Sequence, residues 1–231
     1  MTVSEVFAIR KRWKKYGLFG LIALILIVGG VTYATHAGGA SSSASNVTSG
    51  TGNDATPPTI NDLSDFGKAP NFTATNVNGT PFTFSSLNGK VRVVTFFYTH
   101  CPGPCPMLAG QMEQVQNYLK TEGVLGNKVD LVSVTLDPIH DTLPVIRKWA
   151  NQFNPDFQSW YFVRPNPNQL PQILKAWDIE KSAVPGTPYF NHTIILEIVN
   201  QKGTIMAEYA GDNPSLPQVE KDINTIIAKQ T

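Results

Sequence analysis

Two apolar runs set the frame of this chain. KVRVVTFFYT (Lys90–Thr99) and VDLVSVTL (Val129–Leu136) are short and rich in β-branched and aromatic residues, the pattern of buried central strands. Between them Leu108, Met112, Val115 and Leu119 recur at i, i+4, i+7 and i+11, the period of a helix with one apolar stripe. That helix is expected to open at Pro106, a residue suited to a first helical turn, with Cys105 just before it. TPFTFSSL (Thr80–Leu87) alternates and predicts a short strand. Downstream, LPVIRKWANQF predicts a helix, WYFVR (Trp160–Arg164) a strand, and NQLPQILKAW (Asn168–Trp177) another helix. HTIILEIVN (His192–Asn200) and GTIMAEYAG (Gly203–Gly211) predict a hairpin turning at Gln201 and Lys202, and a last helix runs from about Pro214 to Lys229. The chain shows no internal repeat. The order β-α-β-α-β-α-β-β-α predicts an α/β domain with a central mixed sheet flanked by helices on both faces.

The first 64 residues follow a different pattern. Residues 1–16 carry Arg10, Lys11, Arg12, Lys14 and Lys15 against Glu5, a charge of +4. They run into GLFGLIALILIVGGVTYA (residues 17–34), which holds no charged residue. At ~1.5 Å per helical residue this run covers most of a ~30 Å hydrocarbon core. It is longer than the ~7–15 apolar residues of a secretory signal, and no clean small-residue cleavage site follows it. Residues 17–34 are therefore expected to be a single transmembrane anchor in the cell membrane. The basic flank places residues 1–16 in the cytoplasm and the remainder on the extracytoplasmic side. Residues 35–64 are rich in Gly, Ser, Thr and Ala and are expected to form a flexible tether. The folded domain is expected over residues 65–231, long enough to build a core without disulfide staples.

Composition narrows the function. The 231 residues carry a net charge of +1; outside residues 1–16, 13 basic and 16 acidic residues give −3. That balance offers no electrostatic footprint for nucleic acid.

The only two cysteines lie in THCPGPCPM (Thr99–Met107), at the end of a predicted strand and the start of a predicted helix. That layout is the one found in thioredoxin-like domains, where sites sit at the carboxyl ends of strands. Asp137–Asp141 follows a second strand end and is expected beside the cysteine loop. A helix N-terminus lowers a thiol pKa and favours the reactive thiolate. Three residues separate Cys101 from Cys105, and Pro102 and Pro104 stiffen the loop. Such a wide, stiff bite can hold two sulfurs around one metal ion and can still close to a disulfide. Two thiolates form a soft pair suited to Cu(I). A structural zinc site would use four protein ligands, which the sequence does not supply in metal-like spacing. His36, His100, His140 and His192 are the candidates for a third ligand; His100 is expected to point away from Cys101, and His140 lies in the acidic loop. Asp141 is expected to cap the helix from Thr142. Met107 and Met112 are expected to fill core, as are Trp149, Trp160 and Trp177.

FFYTHCPGPCP (Phe96–Pro106), TLDPIHDT (Thr135–Thr142) and NHTIILEIVNQKG (Asn191–Gly203) together resemble the Sco/SenC family of membrane-anchored copper chaperones. The resemblance spans most of the folded domain and includes an anchor and tether. It implies a thioredoxin-like fold in which Cys101, Cys105 and His192 bind copper, as Cu(I), Cu(II) or both. It implies delivery of copper to the copper A centre of cytochrome c oxidase, or reduction of that centre's cysteines. The expected partners are thus a copper-containing oxidase subunit and a second thiol–disulfide protein. Asp137 matches a family aspartate near the site, where it would support the site or steer a basic partner. This chain departs from the family at Gly103, often acidic there, at His140, often arginine, and at Asn191, often aspartate.

Three other readings compete. A membrane-anchored thiol–disulfide oxidoreductase would use Cys101 and Cys105 as its redox pair. A peroxidase would share the fold, but the paired-proline cysteine loop does not suit it. A structural disulfide across so short a loop would stabilise little.

Overall fold

The computed structural model describes residues 63–229. Residues 1–16, the anchor predicted over residues 17–34 and the tether up to residue 62 lie outside the described residues, as does His36. Among the described residues no helix is long and apolar enough to cross a membrane.

The described chain folds as a mixed α/β domain. Its strands are β1 (Thr73–Asn76), β2 (Pro81–Thr83), β3 (Val91–Phe97), β4 (Val129–Thr135), β5 (Trp160–Arg164), β6 (Lys181–Ala183), β7 (Phe190–His192), β8 (Ile195–Val199) and β9 (Ile205–Ala210). Its helices are α1 (Pro104–Thr121), α2 (Leu143–Ala150), α3 (Leu170–Ala176) and α4 (Leu216–Ala228). Seven strands form one sheet in the order β2-β1-β5-β4-β3-β8-β9, and β6 pairs with β7 as a separate hairpin. The central strands β3, β4 and β5 run parallel, joined by crossovers through α1 and α2. The flanking strands pair antiparallel.

Every residue of β3 and β4 is buried, because helices or loops cover both faces of the sheet. On one face Val93, Leu131, Phe162 and Ile198 pack with Met112 and Val115 of α1, Trp149 of α2 and Ile223 of α4. On the other, Phe96 meets the edge of Trp177, which also packs against Phe72 and Phe84. Trp149, Trp160 and Trp177 are all buried, as the sequence predicts.

The differences from the sequence expectation have local causes. The strand predicted over Thr80–Leu87 stops at Thr83; Phe84–Leu87 turn into a 3-10 helix that buries Phe84 and Leu87. Ser86 Oγ donates to the Thr83 carbonyl at 2.6 Å and closes that turn. β1, TATN, and the β6–β7 hairpin carry no apolar alternation and were not predicted. The long strand expected from His192 begins only at Ile195.

Candidate metal centre

β3 and β4 are parallel neighbours, so their carboxyl ends lie side by side. Two loops leave there, one carrying the cysteines and the other carrying Asp137–Asp141. Asp141 joins them. Its buried carboxylate accepts the Thr99 amide at 3.2 Å and the Thr99 hydroxyl at 2.5 Å, and it also accepts the Thr135 hydroxyl. This corrects its expected role: α2 is preceded by Thr142 and has no side-chain cap, and Asp141 braces two strand ends instead. Burial pushes its carboxyl up, while the Thr135 and Thr99 donors pull it back.

α1 begins at Pro104, two residues earlier than expected, so Cys105 lies inside the first turn. Proline at that position sacrifices no helical bond, because the first amides of a helix have no partner within it. The preceding Gly103 has no side chain to cap them. Cys101 fills that role: the Cys105 amide donates to its Sγ at 3.3 Å.

His192 ends β7 rather than opening the long strand. Its Nε2 stands 3.3 Å from Cys105 Sγ, and its Nδ1 stands 2.8 Å from the Thr193 carbonyl. A carbonyl only accepts, so Nδ1 carries the proton and Nε2 presents its lone pair to the sulfur. The ligand atoms of Cys101, Cys105 and His192 lie within 4.8 Å of one another. Three atoms held at ~2.0–2.3 Å from one ion in a trigonal plane would stand ~3.5–4 Å apart, so a small inward movement suffices. Among the described residues this is the one group of three or more such donors with that spacing.

Both cysteines are free and buried. Cys101 is pushed down to about 4, first by the hydrogen bond from the Cys105 thiol and then by the Gly103 and Cys105 backbones, which together outweigh burial. Cys105 moves far in the opposite direction, because its proton is shared with Cys101 and the sulfur is buried. One proton therefore serves two sulfurs, with Cys101 as the thiolate. Tyr98, buried beside them, is pushed up to about 12 by burial and by the Cys101 charge.

The other candidates stand apart from this cluster. His140 is exposed, and its Nδ1 meets Asp137 Oδ2 at 2.8 Å. His100 is exposed beside the Thr99 hydroxyl, 3.2 Å from its Nδ1. Met112 is core, whereas Met107 is 54% exposed, against expectation, because the stripe of α1 turns it outward. Sequence reading missed Tyr98 and the bracing role of Asp141. The signal available was a pair of threonines, Thr99 and Thr135, at adjacent strand ends.

The SCO1/SenC family model matches residues 62–228. This chain belongs to the SCO1/SenC family. The SCO1 protein homolog of Bacillus subtilis is 24% identical over 157 residues, 67% of this chain and 80% of that protein. The chain spans about half the length of other curated relatives it matches, 54% and 51% for those from yeast and human. The crystal structure of a SCO1/SenC family lipoprotein from Bacillus anthracis matches with a TM-score of 0.63 at 22% identity, covering 74% of this chain and 98% of that one. The structure of Bradyrhizobium japonicum ScoI with copper bound matches at 0.60 and 21% identity, covering 69% and 99%. At these identities the two structures establish the shared thioredoxin-like fold.

Proposed function

We propose that this protein is a copper-binding assembly factor. Cys101, Cys105 and His192 hold the copper, and the protein delivers it to the copper A site of a cytochrome c oxidase or keeps that site's cysteines reduced. The observation that carries the reading is the donor set: two sulfurs and an imidazole whose Nε2 lone pair is already turned toward them. Thiolates select Cu(I), and the imidazole suits copper in either oxidation state. Membership of the family and the copper-bound structure of ScoI support it. The basic and apolar pattern of residues 1–34 supports a membrane anchor with the folded domain outside the cytoplasm. Asp137 lies in the loop that Asp141 ties to the cysteines, which supports a role toward a partner or the site's surroundings.

A second reading draws on the thiolate at Cys101 beside a protonated Cys105. Cys101 would attack a partner disulfide, forming a mixed disulfide and releasing one partner thiolate. Cys105, losing its proton, would then attack Cys101 and release the second thiolate, leaving Cys101–Cys105 oxidised and the partner reduced.

The deciding experiment loads the reduced full chain with Cu(I) and measures stoichiometry and affinity by chelator competition. One copper per chain is expected, with affinity lost in Cys101→Ser, Cys105→Ser and His192→Ala. Full retention in His192→Ala would overturn the three-ligand site. A wild type that holds no copper would leave the oxidoreductase reading.

A further inference from the structure

His192 sits on an element that the main sheet does not hold. β6 and β7 pair only with each other, through Lys181↔His192, Ser182↔Asn191 and Ala183↔Phe190. All three residues of β6 are exposed. A two-stranded hairpin is marginally stable by itself, so the position of His192 depends on what fastens the hairpin.

The register puts the fastening on one face. Directly opposed residues of an antiparallel pair project to the same side, and so do residues two apart along a strand. Lys181, His192 and Phe190 therefore share a face, and that face looks onto the ends of β3 and β4. Phe190 lies against Tyr98, with ring centroids 3.8 Å apart, and its carbonyl accepts the Tyr98 hydroxyl at 3.3 Å. Lys181 reaches further. Its Nζ donates to the Leu136 carbonyl at 2.6 Å, just beyond the end of β4. The same ammonium lies 3.9 Å from the centroid of the Phe190 ring. The carboxylates of Asp137 and Asp141 attract it, against a burial that favours its neutral form.

We propose that Lys181 is a positioning residue for the metal centre, clamping the β6–β7 hairpin to the end of β4 so that His192 stands beside Cys105. Lys181 touches neither sulfur and donates nothing to the metal. It acts through its cross-strand partner: the hydrogen bond to Leu136 fixes β6, pairing fixes β7, and the ring of Phe190 is held between the ammonium and Tyr98. This rests on the copper reading for its consequence and on the protein's own contacts for its geometry, and the two can be tested apart.

The test compares the full chain with Lys181→Met and Lys181→Arg, both reduced. Methionine keeps most of the stem and loses the donor and the charge; arginine keeps both. In the metal-free protein, nuclear Overhauser contacts between the His192 ring and Cys105 should weaken in Lys181→Met. Hydrogen exchange at the Thr193 amide, which donates to the Glu180 carbonyl at the base of the hairpin, should quicken. Cu(I) affinity should fall about three- to tenfold, the effect of one charged hydrogen bond near the surface, with the thermal midpoint unchanged. Lys181→Arg should restore all three. A Lys181→Met chain with wild-type His192–Cys105 contacts overturns the clamp, and so does failure of arginine to restore them. A wild type that binds no copper removes the functional reading and leaves the metal-free measurements to decide the clamp.

Discussion

The chemistry of Cys101 depends on where one proton resides. The Cys105 thiol and amide both donate toward Cys101 Sγ, and His192 Nε2 stands 3.3 Å from Cys105 Sγ. A thiol has an ordinary pKa of ~8.5. Titrating thiolate absorbance in the reduced protein should reveal one thiolate forming near about 4 and the second only well above the ordinary thiol value. Two thiolates forming together near the ordinary value would contradict the shared proton. The sign of the linked stability follows. Cys101 has a depressed pKa, so its contribution is complete above the unfolded value and lost as pH falls through about 4. Cys105 has a raised pKa, so the folded state is penalised once pH passes the ordinary thiol value. The pair's contribution to stability therefore rises with pH up to that value and declines beyond it. Reduced wild type compared with Cys101→Ser in denaturant titrations should diverge most in that range and converge toward pH 4.

At the scale of the element, α1 separates stability from site chemistry. Its stripe of Leu108, Met112, Val115 and Leu119 is fully buried against the sheet, while Cys105 lies in its first turn. Met112→Ala should cost about 2–5 kcal/mol in denaturant unfolding, the range for deleting a long buried apolar side chain. The thiolate titration should be unchanged, because Met112 lies two turns beyond Cys105; a shifted titration would show the loop to be coupled to the core. The stripe and the buried strands were legible because a 3.6-residue period, or an unbroken β-branched run, reports burial directly. The start of α1 was misplaced by two residues because Pro104 and Pro106 both suit a first turn. The β6–β7 hairpin was invisible because its residues are exposed or half-buried and carry no period. Asp141 was misread as a cap because its real donors, Thr99 and Thr135, come from other elements, and local turn chemistry is silent about them. The resemblance supplied His192, whose grouping with the cysteines depends on an element that no periodicity announces.

At the scale of the whole molecule, the described residues gather in one compact unit. Its first residues tie into the sheet: the Ser64 and Phe66 amides donate to the carbonyls of Met206 and Ile205 on β9 at 3.0 Å, extending the sheet's edge. Both faces of the sheet are covered from within residues 72–226, and all three proposed ligands lie in the same unit. A chain beginning at Thr59 should therefore fold cooperatively and hold Cu(I) with the affinity of the full chain. A chain beginning at Gly79 would lose β1 and Phe72 and should be markedly less stable. The full chain should sediment with membranes and resist extraction at high pH, whereas the chain from Thr59 should remain in solution, since only residues 17–34 carry an uncharged apolar run of spanning length. Membrane retention without the first 58 residues would move the anchor reading elsewhere. Copper affinity lost on their removal would show that the site draws on a donor outside the folded unit, and His36 would be the first residue to substitute.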